Sequence, residues 1–147
     1  MFSKTTEYAL RAMAHCGEAQ RAGKGTQTAE VIAERTGVPV AYLGKVMQAL
    51  RRAGLLQSQR GAGGGVRLSR SADEILVFDI VQAVDPIERI LACPLGLEAH
   101  KHRLCPLHAK MDAALAMVEE SFKNTTLAQV LESGGTFGPP TEVAGSN

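Results

Sequence analysis

Between positions 35 and 72 the chain carries seven basic side chains (Arg35, Lys45, Arg51, Arg52, Arg60, Arg67 and Arg70) and not one Asp or Glu. Through the same stretch the helix and strand breakers come in a definite order: Gly37, then Val38-Pro39, then Ala53-Gly54, then Arg60-Gly-Ala-Gly-Gly-Gly65. Few chain paths satisfy both. A short helical pattern ends at Gly37, which can take positive φ, and Pro39 opens another, because proline is tolerated at the start of a helix. Two helices joined by a tight glycine turn make a helix-turn-helix. In the second, Leu43, Val46, Met47 and Leu50 recur at helical spacing and form one buried stripe, while Tyr42, Lys45, Gln48, Arg51 and Arg52 point elsewhere. Residues 55–59 and 66–69 then read as two short strands around the glycine-rich turn, which makes a wing. Glycines at its tip, Gly63 and Gly64 among them, let the hairpin approach a sugar-phosphate backbone closely, and Arg60 at its base is long enough to enter a minor groove.

A surface kept clear of carboxylates suits a polyanion, so double-stranded DNA is the expected partner. The formal net charge of +1 conceals this: residues 1–34 hold four basic and four acidic side chains, 35–72 hold seven and none, and 73–147 hold five and eleven. The acidic remainder should lie away from the duplex, where assembly or sensing occurs. A nucleotide-cradling loop is the other reading of the glycines, but no Lys-Ser or Lys-Thr pair follows them and no helix opens from them. Neither a secretory signal nor a membrane-spanning run is visible, so a cytoplasmic protein with no membrane partner is expected. Three cysteines in a reducing compartment then read as packing, metal or redox residues.

Before the basic stretch, residues 3–19 read as a first helix with Ala9, Ala12, Met13 and Cys16 on one stripe, Cys16 acting as a small buried hydrophobe. Thr26 or Thr28 can cap the next helix. After the wing, Ser71 to Glu74 matches a capping box, and a second box is available from Thr126 to Gln129. Cys105-Pro106 opens a long helix whose stripe is Leu107, Met111, Ala114, Leu115, Val118 and Phe122. So much apolar surface beside a small domain is expected to pack against a second copy in a homodimer, or to fold back on the first helix. The expected organisation is mainly α. A winged helix-turn-helix DNA-binding domain with a small two-stranded wing covers 1–84, and a sensor or ligand-binding connection covers 85–105. A C-terminal dimerisation helix and a terminal short helix cover 106–132, and a disordered tail covers 133–147.

Several of these residues together resemble the Rrf-type family of bacterial winged-helix transcriptional regulators, whose members are IscR-, NsrR- and CymR-like. They are Tyr8-Ala9-Leu10, Tyr42-Leu43 with Leu50-Arg-Arg-Ala-Gly54-Leu55, the wing from Arg60 to Gly65, Asp79-Ile80-Val81 with Ala83-Val84-Asp85, Cys93 with Cys105, and Thr125-Thr126-Leu127. Ala62 and Val66 depart from the family, which favours proline and an aromatic there. The resemblance implies a homodimeric regulator, a repressor, on a palindromic promoter site, with half-sites one helical turn or a multiple apart. On that footing Tyr42, Lys45 and Gln48 face bases or adjacent phosphates, Arg51 and Arg52 hold the backbone, and Arg60 enters the minor groove.

The resemblance also implies a sensor. Cluster-carrying members place three cysteines in the connection; here Cys93 and Cys105 stand in register and the middle position is Ala99. Cys105-Pro-Leu-His108 repeats the spacing that supplies a histidine ligand, so Cys93, Cys105 and His108 are metal-ligand candidates, with a fourth from His100, His102, Glu7 or His15. A two-iron two-sulfur cluster is one occupant of such a set, zinc another, and a cofactor-free regulator governed by thiol oxidation or a partner protein is the third reading. An enzyme is not expected. Cys93 or Cys105 with His108 lacks an oxyanion loop, an orienting carboxylate and a substrate pocket, and no small-molecule substrate is indicated.

Overall fold

The computed structural model describes residues 2–133. Ser3 starts the first helix by accepting a hydrogen bond from the Thr6 backbone N–H at 3.2 Å, and α1 runs Lys4–Arg21. Thr28 caps α2 (Ala29–Thr36) in the same way. Gly37 ends α2 in the left-handed region at φ 70°, and Pro39 stands as the residue before α3 (Val40–Arg52). The wing is β1 (Leu56–Gln59) paired antiparallel with β2 (Gly65–Leu68), with Leu56 opposite Leu68 and Gln59 opposite Gly65. Next come a 3-10 turn at Ala72–Glu74, α4 (Val77–Val84), a second 3-10 turn at Glu98–His100, α5 (Pro106–Lys123) and α6 (Leu127–Glu132). The molecule is thus mainly helical with a two-stranded antiparallel sheet. The Thr126 capping box closes both ways, Gln129 accepting from the Thr126 N–H at 2.8 Å and donating its own N–H to the Thr126 hydroxyl at 3.2 Å. At Ser71 one half forms, Glu74 accepting from the Ser71 N–H at 3.3 Å. Beyond Ser133, the expected tail lies outside the described residues.

The core gathers around α1. Ala9, Ala12, Met13 and Cys16 are buried there, and because three of the four are small, α2, α3, α4, α6 and β2 can all reach the same helix. The α3 stripe closes one side of that core, with Leu43 and Leu50 fully buried and Val46 and Met47 nearly so. Each such leucine contributes about 1.5–3 kcal/mol by leaving water. α6 returns to the same core: Leu127 is buried in it and donates its backbone N–H to the Ile75 carbonyl at 2.8 Å. One residue of the α1–α2 loop also joins the wing. Gln27 exchanges two backbone hydrogen bonds with Val66, at 2.7 and 2.8 Å, and so lies as a one-residue third strand beside β2.

Different forces hold the C-terminal part. No residue of α5 is buried, and its principal contact within the chain is α4. Leu115, Val118 and Phe122 are half-buried, with Phe2 against Phe122 at 5.5 Å between ring centroids. Leu107 and Met111, in the first half, stay 65% and 48% exposed. The connection is tied to α5 through Arg89, whose guanidinium donates two parallel hydrogen bonds of 2.7 Å to Asp112. The Ile90 backbone N–H donates to the same carboxylate at 2.9 Å. Arg89 holds Asp112 below the usual carboxylate range. Asp85, at the end of α4, is held below it too, by the hydroxyls of Ser3 and Thr6.

Candidate nucleic-acid interface

An amphipathic helix that buries one stripe must present the other. Tyr42, Lys45, Gln48, Arg51 and Arg52 are all exposed on α3. Tyr42, 59% exposed, is braced from behind by Tyr8 of α1 with 5.8 Å between ring centroids, so its ring is positioned although it faces solvent. Arg51 donates to the Ser58 hydroxyl at 2.8 Å, which links the end of α3 to β1 and sets helix and wing as one surface. None of the exposed residues of this face carries an opposing carboxylate; among the described residues the only ion pair that involves a cation of positions 35–72 is Arg70 with Asp79, at 3.8 Å.

At the wing tip the glycines are required by geometry. Gly61, Gly63 and Gly65 have positive φ, and a Cβ on Gly64 would lie 2.7 Å from the carbonyl oxygens of Gln59 and Gly61. Only glycine closes this turn without strain, and the result is a bare backbone loop with Arg60 exposed at its base. The tip is also held from the side, where the Thr26 hydroxyl donates to the Gly63 carbonyl. Two features of this face went unread in the sequence. Thr26 and Gln27 have no strand-like alternation around them to announce a third strand. Gly44 lies exposed in the middle of α3 with nothing within 4 Å of where its Cβ would stand.

The metal-ligand candidates are arranged otherwise. Cys93 pairs with His100, Sγ to Nδ1 at 3.8 Å, and Cys105 pairs with His108, Sγ to Nδ1 at 3.3 Å. Cys105 also caps α5, accepting from the His108 backbone N–H at 3.5 Å. His102 is exposed with no side-chain partner among the described residues, Glu7 is bound by Lys4 at 3.2 Å, and His15 bonds to the Gln27 amide at 3.0 Å. Among the described residues no three His, Cys, Asp or Glu side chains converge to hold a metal ion. A two-iron two-sulfur cluster takes four protein ligands. Two separate Cys–His pairs, with Ala99 bringing no donor between them, do not fit that requirement as one chain arranges them. What the Cys93–His100 pair does is tune a thiol. His100 leads in holding Cys93 below its ordinary value, with backbone N–H groups of Leu97 and Leu95 adding to it. Burial instead pushes the Cys16 thiol up to about 12 and leaves it inert, as expected of a packing residue.

Comparison with known proteins agrees with this geometry. Residues 2–133 match the family model described as "Rrf2: Iron-dependent Transcriptional regulator". The chain is similar to the HTH-type transcriptional regulator IscR of Sodalis glossinidius, 31% identical over 126 residues that cover 86% of this chain and 75% of that protein. It is also similar to Protein aau3 of Rhizobium meliloti, 38% identical over 93 residues; this match covers 62% of the chain and spans only 57% of the relative's length. Among solved structures, T. potens IscR superposes with a TM-score of 0.73 at 29% identity, covering 92% of this chain and 88% of that one. CymR, the global cysteine regulator of B. subtilis, gives 0.75 at 25% identity, covering 92% and 98%. The IscR and CymR relatives are named as regulators rather than enzymes, and no described helix is long and apolar enough to cross a membrane. An acid-free recognition helix joined to a glycine wing, on a chain matched almost end to end by that model, places the protein in the Rrf2 family of DNA-binding transcriptional regulators.

Proposed function

We propose that the protein is a homodimeric repressor that binds a palindromic promoter site, with α3 in the major groove and the wing in the flanking minor groove. The observation that carries this is the continuity of the acid-free α3 face with the wing through the Arg51–Ser58 bond. Tyr42, Lys45 and Gln48 face bases or adjacent phosphates, Arg51 and Arg52 hold the backbone, and Gly63 and Gly64 bring the wing tip against it. The uncovered first half of α5, with Leu107 and Met111, supports a second copy as the partner that completes the fold and sets the spacing of two half-sites. The test is a gel-shift series on duplexes selected from a random-sequence pool. Arg60→Ala weakens binding by about 1–3 kcal/mol, and an unchanged affinity would defeat the minor-groove role.

For the signal, the reading favoured by the two Cys–His pairs is thiol chemistry at Cys93 rather than a cluster held within one chain. Cys93→Ser then abolishes the response of DNA binding to a mild oxidant, while Cys105→Ser leaves it. Iron, sulfide and zinc analysis of anaerobically purified protein is the companion measurement, since stoichiometric iron and sulfide would restore the cluster reading with ligands shared between subunits.

A further inference from the structure

The α1–α2 loop travels with the wing. Gln27 is bonded into β2 on one side and Thr26 to the wing tip, so Lys24, two residues earlier, is carried along the flank of the hairpin. On β2, Arg67 alternates with buried Val66 and Leu68 and therefore points outward. A recess of about 150 Å³ there is lined by both cations together with Cys16, Gln20, Gln27 and Val66. That is several times the share of a single water, about 30 Å³, which leaves room for a small oxyanion group. No carboxylate lines it, and neither Lys24 nor Arg67 has an ion-pair partner among the described residues. Two cations with no carboxylate partner on the lining of one hollow suit an oxyanion; the Gln27 amide is spent on His15 and on the Gly25 and Thr26 carbonyls and serves to hold the loop.

We infer that the Lys24–Arg67 recess, beside the third-strand residue Gln27, is a phosphate clamp that grips one DNA backbone strand where it runs along the flank of the wing. The inference rests on the DNA-binding reading above. A hairpin inside a minor groove about 6 Å wide has a phosphate wall on each side, and the strapped loop puts a cation on the wall opposite the α3 side. The contact is to phosphate and so carries no sequence information. It adds affinity and fixes how deeply Arg60 sits.

The experiment titrates full-length wild type, Lys24→Gln, Arg67→Gln and the double variant against a duplex that the wild type has selected from a random-sequence pool, by fluorescence anisotropy at several salt concentrations. All four should melt alike, because both side chains are exposed. Each lost contact lowers the slope of log affinity against log salt by about one, with base preference unchanged. A scan of single methylphosphonates along the duplex adds a direct readout. One neutralised phosphate beside the wing's minor groove weakens the wild type and has no effect on the double variant. If the double variant keeps both the wild-type slope and the wild-type methylphosphonate profile, the clamp is overturned while DNA binding stands. If inorganic phosphate raises the melting temperature of wild type but not of the double variant, with the slope unchanged, the recess serves a free oxyanion and the backbone assignment is overturned. If the wild type selects no duplex at all, the DNA-binding reading fails and takes the clamp with it.

Discussion

Helices α3 and α5 carry the same kind of pattern and meet different fates. On α3, Leu43, Val46, Met47 and Leu50 are covered by the chain's own core. On α5, the stripe begins with Leu107 and Met111 in solvent and is only half-covered from Leu115 onward. Hydrophobic periodicity states that a face has to be covered; it does not say by which chain. The difference follows from what precedes each helix. α3 is tied down at both ends by short turns, at Gly37 and at Ala53-Gly54, so it has little choice but to lie on α1. α5 follows a connection of some twenty residues anchored mainly by Arg89 on Asp112, and reaches the core mainly through α4 and, after a further turn, through α6.

The largest effect that sharpens this contrast is on the covered stripe. Leu50→Ala removes a fully buried side chain and should lower unfolding free energy by about 2–5 kcal/mol, read from urea denaturation. A loss under about 1 kcal/mol would mean that α3 is not seated as described. On the open stripe the expectation reverses. Leu107→Glu with Met111→Glu should leave the stability of the single chain within about 0.5 kcal/mol while raising the dimer dissociation constant at least about tenfold, or about 1.4 kcal/mol, measured by sedimentation equilibrium. A wild type that sediments as single chains at every concentration would break the comparison, since the open stripe would then need some other cover.

How much of this could be read in advance depended on how local the signal was. The α3 stripe, the Gly37 turn and the wing are each specified within a dozen residues by spacing and by glycine, and they appear where the periodicity put them. The burial of Cys16, the Thr126 capping box and the bond from Ser71 to Glu74 were legible for the same reason. The one-residue pairing of Gln27 with Val66 joins positions far apart in the chain with no alternation to mark it. The return of α6 to α1 depends on the path of a connection that has no period at all. In the connection, Cys105 and His108 are three apart at a helix start, and their pairing follows from helix geometry. Cys93 and His100 meet only because the chain bends through the 3-10 turn at Glu98–His100, which spacing does not foretell. The family resemblance grouped Cys93, Cys105 and His108 as one ligand set with His100 among the possible fourth members, and within one chain these four lie as two Cys–His pairs.

The smallest expected effect isolates function from folding on the exposed side of α3. Gly44 lies between Tyr42 and Lys45 in mid-helix, takes no positive φ, and has open space where a side chain would go. Nothing in the fold asks for glycine there, and a glycine inside a helix costs about 0.8–1 kcal/mol relative to alanine. On the proposed reading, in which this surface faces DNA, the reason lies outside the chain: a bare backbone would let α3 sit closer to the floor of the groove than a Cβ would permit. Gly44→Ala should therefore move the two readouts in opposite directions, stabilising the fold by about 0.8–1 kcal/mol in thermal or urea unfolding while weakening binding to a selected duplex. Opposite signs matter because a variant that merely damaged the protein would lose both. If the alanine variant binds as tightly as wild type, α3 does not approach the bases at that turn, and the contacts assigned to Tyr42 and Lys45 on either side of it would have to be made from farther away.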